Sequence, residues 1–254
     1  MKIDKVIWSS SVEYSDFWNI NSLIHNKFLG LDCVLLLYGK KKDLGLSEEF
    51  GEIIELDFDE NAPKIPQLIF NKWHYTKNEP ETTWLIGDID QIPLQKQFFI
   101  DKIGGVPEDS YCHLRENACQ MSGAPCWKSS RGPLVGHYHV AKGKIFNEVL
   151  NLDVSLVDHT NTLVGNSKKD KQPVWAYEEW YTADLIKASK VKFYGFKRKG
   201  YGNLGNKICR STNSSYNPEL LKSKIYYEDY HCPRPYEDHK SQINEILKIA
   251  WGDI

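Results

Sequence analysis

A chain of 254 residues is long enough to bury one sizeable core, and 41% hydrophobic with 26% charged residues are ordinary globular proportions. A net charge of −2 gives no overall attraction to nucleic acid or anionic lipid, which argues against either as a partner. No apolar run approaches the roughly 18 residues of a transmembrane helix.

The opening MKIDKVIW lacks an apolar leader and enters a strand almost at once, which implies a cytoplasmic protein. Its six cysteines then default to free thiols. Cys112, Cys119 and Cys126 are spaced by seven, unlike a zinc motif, and are read as packing residues.

KVIWSS (5–10) reads as a buried strand. In the segment 15–30, Phe17, Ile20, Leu23, Ile24 and Phe28 fall at helical spacing. Ser15 or Asp16 is a candidate N-cap, and Gly30 a stop. DCVLLLYG (32–39) and GEIIELDF (51–58) are two further strands, and 65–77 reads as a helix. Next comes TTWLIGDIDQIPL (82–94), an apolar strand ending on Asp88 and Asp90 ahead of Pro93. Strands separated by crossover-length segments predict an α/β domain with a largely parallel sheet, whose ligands bind at the strand carboxyl ends.

The second half is less regular. Residues 98–133 read as loop, and 134–150 as a strand, a turn at Gly143 and a helix. The segment 174–189 is expected to be helical from Glu178 or Trp180, 191–196 a strand, and 241–252 a terminal amphipathic helix. The basic, glycine-rich stretch 197–207 reads as a loop. With no repeat or linker, the expectation is a single domain over 1–254, with a nucleotide-binding half (1–94) and an acceptor-side half (95–254).

In extended chain, residues two apart point the same way, so Asp88 and Asp90 are expected to project together. Two adjacent carboxylates repel unless a cation lies between them or one is protonated. A hard divalent ion, Mn²⁺ or Mg²⁺, suits oxygen donors and completes its shell with water and phosphates, which points to a diphosphate-bearing substrate.

The strand TTWLIGDIDQIPL, reached after several α/β units, resembles the DXD strand of GT-A-fold glycosyltransferases. VGHYHVAKGKIFNEVL resembles the acceptor-side strand and helix of that fold. WAYEEWYTADLI resembles the segment where many members carry an acid at a helix start. The resemblance implies a Rossmann-type mixed sheet flanked by helices and a metal-dependent transferase of polysaccharide synthesis. That enzyme would move a sugar from a nucleoside diphosphate sugar, UDP-linked first among the candidates, to a glycan or other hydroxyl acceptor.

Carried over by position, the resemblance implies that Asp90 binds the metal bridging the diphosphate. Asp88 would reach the metal through water or hold the ribose. His231, in YYEDYHCPRPY, would complete the metal site, with His159 and His239 as competitors. Ser9, Ser10 and Tyr14 after the first strand would receive base and ribose, as could Asp57 after the third.

Glu178 and Glu179, with Glu179 preferred, are the candidate catalytic acids, as a base in an inverting enzyme or a stabilising carboxylate in a retaining one. Acids in a first helical turn are also favoured by the helix dipole alone. Lys197, Arg198 and Lys199 could close over the diphosphate, with Lys128 and Arg131 a weaker basic cluster. Two alternatives stay open: a haloacid-dehalogenase-type phosphatase, and a non-catalytic sugar-binding domain of the same fold.

Overall fold

A computed structural model describes residues 1–121, 125–126, 128, 132–197, 206–210 and 216–253. The described strands are β1 (Lys5–Ser11), β2 (Asp32–Tyr38), β3 (Glu52–Leu56), β4 (Thr83–Ile86), β5 (Gln91–Pro93), β6 (Tyr111–His113), β7 (His139–Lys142), β8 (Phe193–Gly195), β9 (Lys207–Cys209) and β10 (Asp229–His231). The described helices are α1 (Trp18–Leu23), α2 (Lys64–Thr76), α3 (Lys96–Phe99), α4 (Ala118–Met121), α5 (Gly143–Leu150), α6 (Leu156–Lys169), α7 (Val174–Ala188), α8 (Pro218–Lys222) and α9 (Tyr236–Trp251).

Seven strands form one sheet in the order β3-β2-β1-β4-β7-β6-β8, and β5-β10-β9 form a second, small one. The pairs β3–β2, β2–β1 and β1–β4 are parallel, as the crossovers predict. β7 runs antiparallel to both of its neighbours, so the sheet is mixed. The C-terminal ends of β1 and β4 therefore lie at the same sheet edge as the N-terminal end of β7.

Both sheet faces are covered, which is why the first strands read as nearly continuous apolar runs. Val6, Trp8, Leu35, Leu37 and Leu85 face a core shared with α1, α9 and the small sheet. Ile7, Val34, Leu36, Trp84 and Ile86 face a second core with Phe70 and Trp73 of α2, Phe146 of α5, Leu163 of α6 and Tyr177 of α7. Most of the aromatic excess is spent here: Trp8, Trp18, Trp73 and Trp84 are all fully buried.

Several expectations change. The helix over 15–30 is instead a 3₁₀ turn (Val12–Phe17), α1 and a π-helical segment (Ile24–Leu29), closed by left-handed Gly30 at φ 73°. Gly143 is the first residue of α5 instead of a turn, and a Cβ there would clash with the Thr76 and Glu79 carbonyl oxygens. α7 starts at Val174, directly after extended Pro173, so Glu178 and Glu179 sit in its second turn and the dipole account of them falls. α6, which lacks a strong apolar stripe, went unforeseen.

β4 stops at Ile86 instead of running to Asp88. Gly87 hydrogen-bonds the Ile7 carbonyl (3.0 Å), and the buried Trp8 indole fills the space where a Cβ would stand. The chain then turns, with Gln91 N donating to Asp88 O (3.0 Å), and enters β5. Pro93 is in a strand after all, but β5 is an edge of the small sheet, where a missing N–H is tolerated.

Gly87→Ala forces the Cβ against Trp8, and overpacking of this kind costs about 1–3 kcal/mol. The thermal midpoint should fall by about 2–4 °C per kcal/mol, which a melting curve reads. An unchanged midpoint would show that the Trp8 contact does not set this turn.

Candidate active site

The turn after β4 opens into a cleft of about 530 Å³. Ser9, Ser10 and Tyr14, Asp88 and Asp90, Glu178 and Glu179, and His231 all line it. Asp57 does not: it lies beyond edge strand β3, 85% exposed, 3.9 Å from Lys40, so its expected contact with the base or ribose is corrected.

Asp88 and Asp90 do not project as a pair, because a turn replaces the strand expected there. Asp88 Oδ1 takes a hydrogen bond from Lys72 Nζ (2.9 Å), and Oδ2 lies 3.2 Å from His137 Nδ1. The Lys72 ammonium also donates to the carbonyls of Gly87 (3.3 Å) and Gly136 (3.4 Å), although the side chain is almost wholly buried. Burial works against the Lys72 charge, but Asp88 and Glu178 outweigh it and its pKa is raised. Burial likewise opposes the Asp88 charge, yet Lys72 and His137 hold its carboxyl well below the usual range. Asp88 is thus already matched by one cation of the protein itself, Lys72, while burial lowers the His137 imidazole to about 3 and leaves it a neutral partner.

Asp90 points to the other wall. Its Oδ2 lies 3.0 Å from Arg234 Nε, 3.1 Å from Arg210 Nη2 and 3.4 Å from His231 Nε2. Burial, then the Asp88 charge, raise its pKa against the pull of Arg234, Arg210 and Lys207. Arg234 also sits 4.9 Å over the Tyr14 ring. The backbone holds the turn in place: Cys232 N donates to Asp90 O (2.8 Å), and Asn21 Nδ2 to Ile89 O (2.8 Å).

The segment before β7 closes the floor. His113 Nε2 (3.0 Å) and His139 Nε2 (2.7 Å) both donate to the Val135 carbonyl, while their Nδ1 atoms accept from Arg115 N and the Tyr111 hydroxyl. Pinning Val135 places Gly136 against Glu178, where an added Cβ would lie 2.9 Å from Oε2. Glu178 Oε1 accepts from Trp73 Nε1 (2.7 Å), and burial lifts its carboxyl to about 8. Glu179 is less buried, accepts from the Cys119 thiol (3.6 Å), and is lifted by burial to about 7.

Lys72, His137, Arg210 and Arg234 were missed by sequence reasoning. Lys72 lies inside an ordinary amphipathic helix and carries no local signal. Arg234 stands three residues after His231 in a stretch already singled out, so a search for cations near the candidate ligands would have found it. Of the basic loop, Lys207 lines the cleft and residues 198–205 fall outside the described residues, as does Arg131. Lys128 pairs with Glu116 (2.8 Å). His159 is bonded to His74 (2.9 Å) and Tyr181 (3.0 Å) between helices, which removes it as a metal ligand.

Among the described residues, no group of three His, Cys, Asp or Glu side chains converges as a closed metal cage. Mg²⁺ and Mn²⁺ need less, since one or two protein donors with water and phosphates suffice. Asp90 and His231, 3.4 Å apart, offer a carboxylate oxygen and an imidazole nitrogen that burial keeps neutral. Arg210 contacts both of these atoms, so an ion held by this pair would take the place of that guanidinium. Asp88 lines the same cleft with both carboxylate oxygens turned to Lys72 and His137.

No family model and no curated protein matches the sequence. Solved structures do. A galactosyltransferase LgtC in complex with donor and acceptor sugar analogs matches with a TM-score of 0.53 at 8% identity, over 97% of this chain and 95% of that one. An active-site mutant of LgtC gives 0.52 at 8% identity, over 95% of both chains. The apo form of the glycosyltransferase GlyE of Streptococcus pneumoniae gives 0.51 at 12% identity, over 98% of this chain and 63% of that one. The chain therefore has a GT-A-like glycosyltransferase fold.

The raised Glu178 carboxyl makes a pH-dependent prediction. The unfolded chain ionises it near 4.5 and the folded chain near 8, so stability is lost as pH rises between these values. Glu178→Gln keeps an acceptor for Trp73, and should melt on the order of 10 °C above wild type at pH 8. The advantage should vanish towards pH 4, and an offset independent of pH would contradict the assignment.

Proposed function

We propose that the protein is a metal-dependent glycosyltransferase that moves a sugar from a nucleoside diphosphate sugar, with a UDP-sugar the leading donor, to a hydroxyl of a glycan or similar acceptor. The observation that carries this reading is the division of charge in the cleft. Arg210, Arg234 and Lys207 gather around Asp90 on one wall, and two glutamates with raised pKa values stand on the other. A diphosphate fits the first wall and an acceptor hydroxyl the second.

The walls have separate origins. The cationic wall rises from the small sheet and the segment after it, on the side of the sheet covered by α1 and α9. The acidic wall is α7, on the opposite side. Ser9 and Ser10, at the C-terminal end of β1, lie at the seam, with Tyr14 just beyond them, in reach of a nucleoside whose phosphates lie along Arg210 and Arg234. Guanidinium groups suit phosphate oxygens in charge and in their planar donor geometry.

Asp90 and His231 would hold Mn²⁺ or Mg²⁺ beside the diphosphate, where the ion would neutralise the departing nucleoside diphosphate. Lys72 keeps Asp88 ionised and the floor rigid, so the negative charge of Asp88 faces the centre at which positive charge develops on the sugar ring. Glu179 faces the cleft with a pKa of about 7, suited to taking the acceptor's proton near neutral pH. Glu178, bonded to Trp73, holds α7 against α2. The phosphatase alternative loses its support with the fold: those enzymes usually open with the paired-aspartate motif, and here three strands, β1 to β3, precede the one that leads into it.

Thermal unfolding with UDP, GDP, CDP or ADP, with and without MnCl₂, tests this reading. Saturation at a hundred times the dissociation constant is worth about 2.7 kcal/mol, or a rise of about 5–10 °C here. One diphosphate should give a Mn²⁺-dependent rise that Asp90→Asn abolishes. A rise without metal would overturn the role given to Asp90 and His231, and no rise with any diphosphate would overturn the donor.

A further inference from the structure

α7 carries one feature that donor chemistry does not use. Trp175 lines the cleft yet is 68% exposed, whereas Trp8, Trp18, Trp73 and Trp84 have no exposed surface. An indole left in water at the mouth of a cleft forfeits the burial that gives the other four their stability. Its helical position is informative. Glu178 and Glu179 follow at i+3 and i+4, so all three residues lie on one face of α7.

The facing helix repeats the pattern. On α2, Leu68 and Ile69 line the cleft and Lys72 follows at i+4 and i+3 from them. Each helix therefore presents an apolar turn outside and a charged turn inside. Together they make a slot that is apolar at its mouth and ionic at its base.

A pyranose ring has a complementary construction: one C–H-rich face suited to an aromatic plane, and a rim of hydroxyls that need polar partners. A nucleobase would also stack on an indole, but the phosphate-matching cations lie on the opposite wall. A base on Trp175 would draw the diphosphate away from Arg210 and Arg234. We propose that Trp175 is the stacking platform of an acceptor subsite that takes a pyranose, seating it so that one hydroxyl reaches Glu179. The proposal rests on the transferase reading for the name acceptor, but sugar binding at Trp175 can be tested without it.

Saturation-transfer NMR against methyl β-galactopyranoside, methyl α-glucopyranoside, lactose, maltose and cellobiose measures the subsite in the absence of any nucleotide. At least one saccharide should bind the wild type. Trp175→Ala should weaken it by about tenfold and Trp175→Phe, which keeps a ring, by about threefold or less. Trp175→Phe, with its melting midpoint, also controls for folding.

Binding of the nucleoside diphosphates should change by no more than about twofold in either variant. Saccharide affinity unchanged in Trp175→Ala, or no saccharide bound by the wild type, would overturn the proposal. So would a parallel loss of nucleotide affinity, which would assign the indole to the base. If saccharide binding depends on Trp175 while no nucleoside diphosphate binds, the platform stands and the transferase reading falls.

Discussion

A lysine can stay charged inside a protein only where anions and carbonyls replace its water, and the site of this protein is arranged around one such lysine. Lys72 ties α2 to the turn after β4 through Asp88 and the Gly87 carbonyl, and to the segment before β7 through the Gly136 carbonyl. Three elements distant in sequence meet at one ammonium group. The exclusion of side chains at Gly87 by Trp8, and at Gly136 by Glu178, brings both carbonyls within its reach.

From this contact follows the asymmetry of the two aspartates. Two neighbouring carboxylates need not share one cation if the chain between them turns, and here Asp88 faces Lys72 while Asp90 faces Arg210 and Arg234. Asp88 is held strongly ionised. Asp90, more buried and beside that charge, is held less firmly, and its cations are the ones open to the cleft. A ligand bearing negative charge therefore meets Arg210 and Arg234 without disturbing Lys72. The same ammonium acts on α7, where its charge opposes the burial that lifts Glu178 and Glu179.

The parts of this arrangement legible in the sequence were those written in local pattern. Apolar runs at 5–10, 32–39 and 84–87 identified three central strands, and their order predicted a site at the carboxyl ends. Asp88, Asp90, Glu178, Glu179 and His231, which the fold brings to one cleft, could be singled out because each stands beside a run or among aromatics that sets it apart. What could not be found depended on contacts across the chain. Lys72 is one of 32 basic residues until α2 packs on the sheet. The turn at Gly87 is dictated by Trp8, a residue 79 positions earlier in the sequence. Asp57 failed for the converse reason: its local signal matched that of a site residue, but β3 lies at the far edge of the sheet.

Release of nucleoside diphosphate from a set of nucleotide sugars, followed against pH for wild type and Glu179→Gln in the presence of Mn²⁺ and a saccharide acceptor, tests the account most directly. It predicts turnover that rises through about pH 7 as the Glu179 carboxyl ionises, and a rate reduced by about 10²–10⁴-fold, without that rise, in the variant. Turnover at the wild-type rate in Glu179→Gln, or none from any nucleotide sugar, would contradict it.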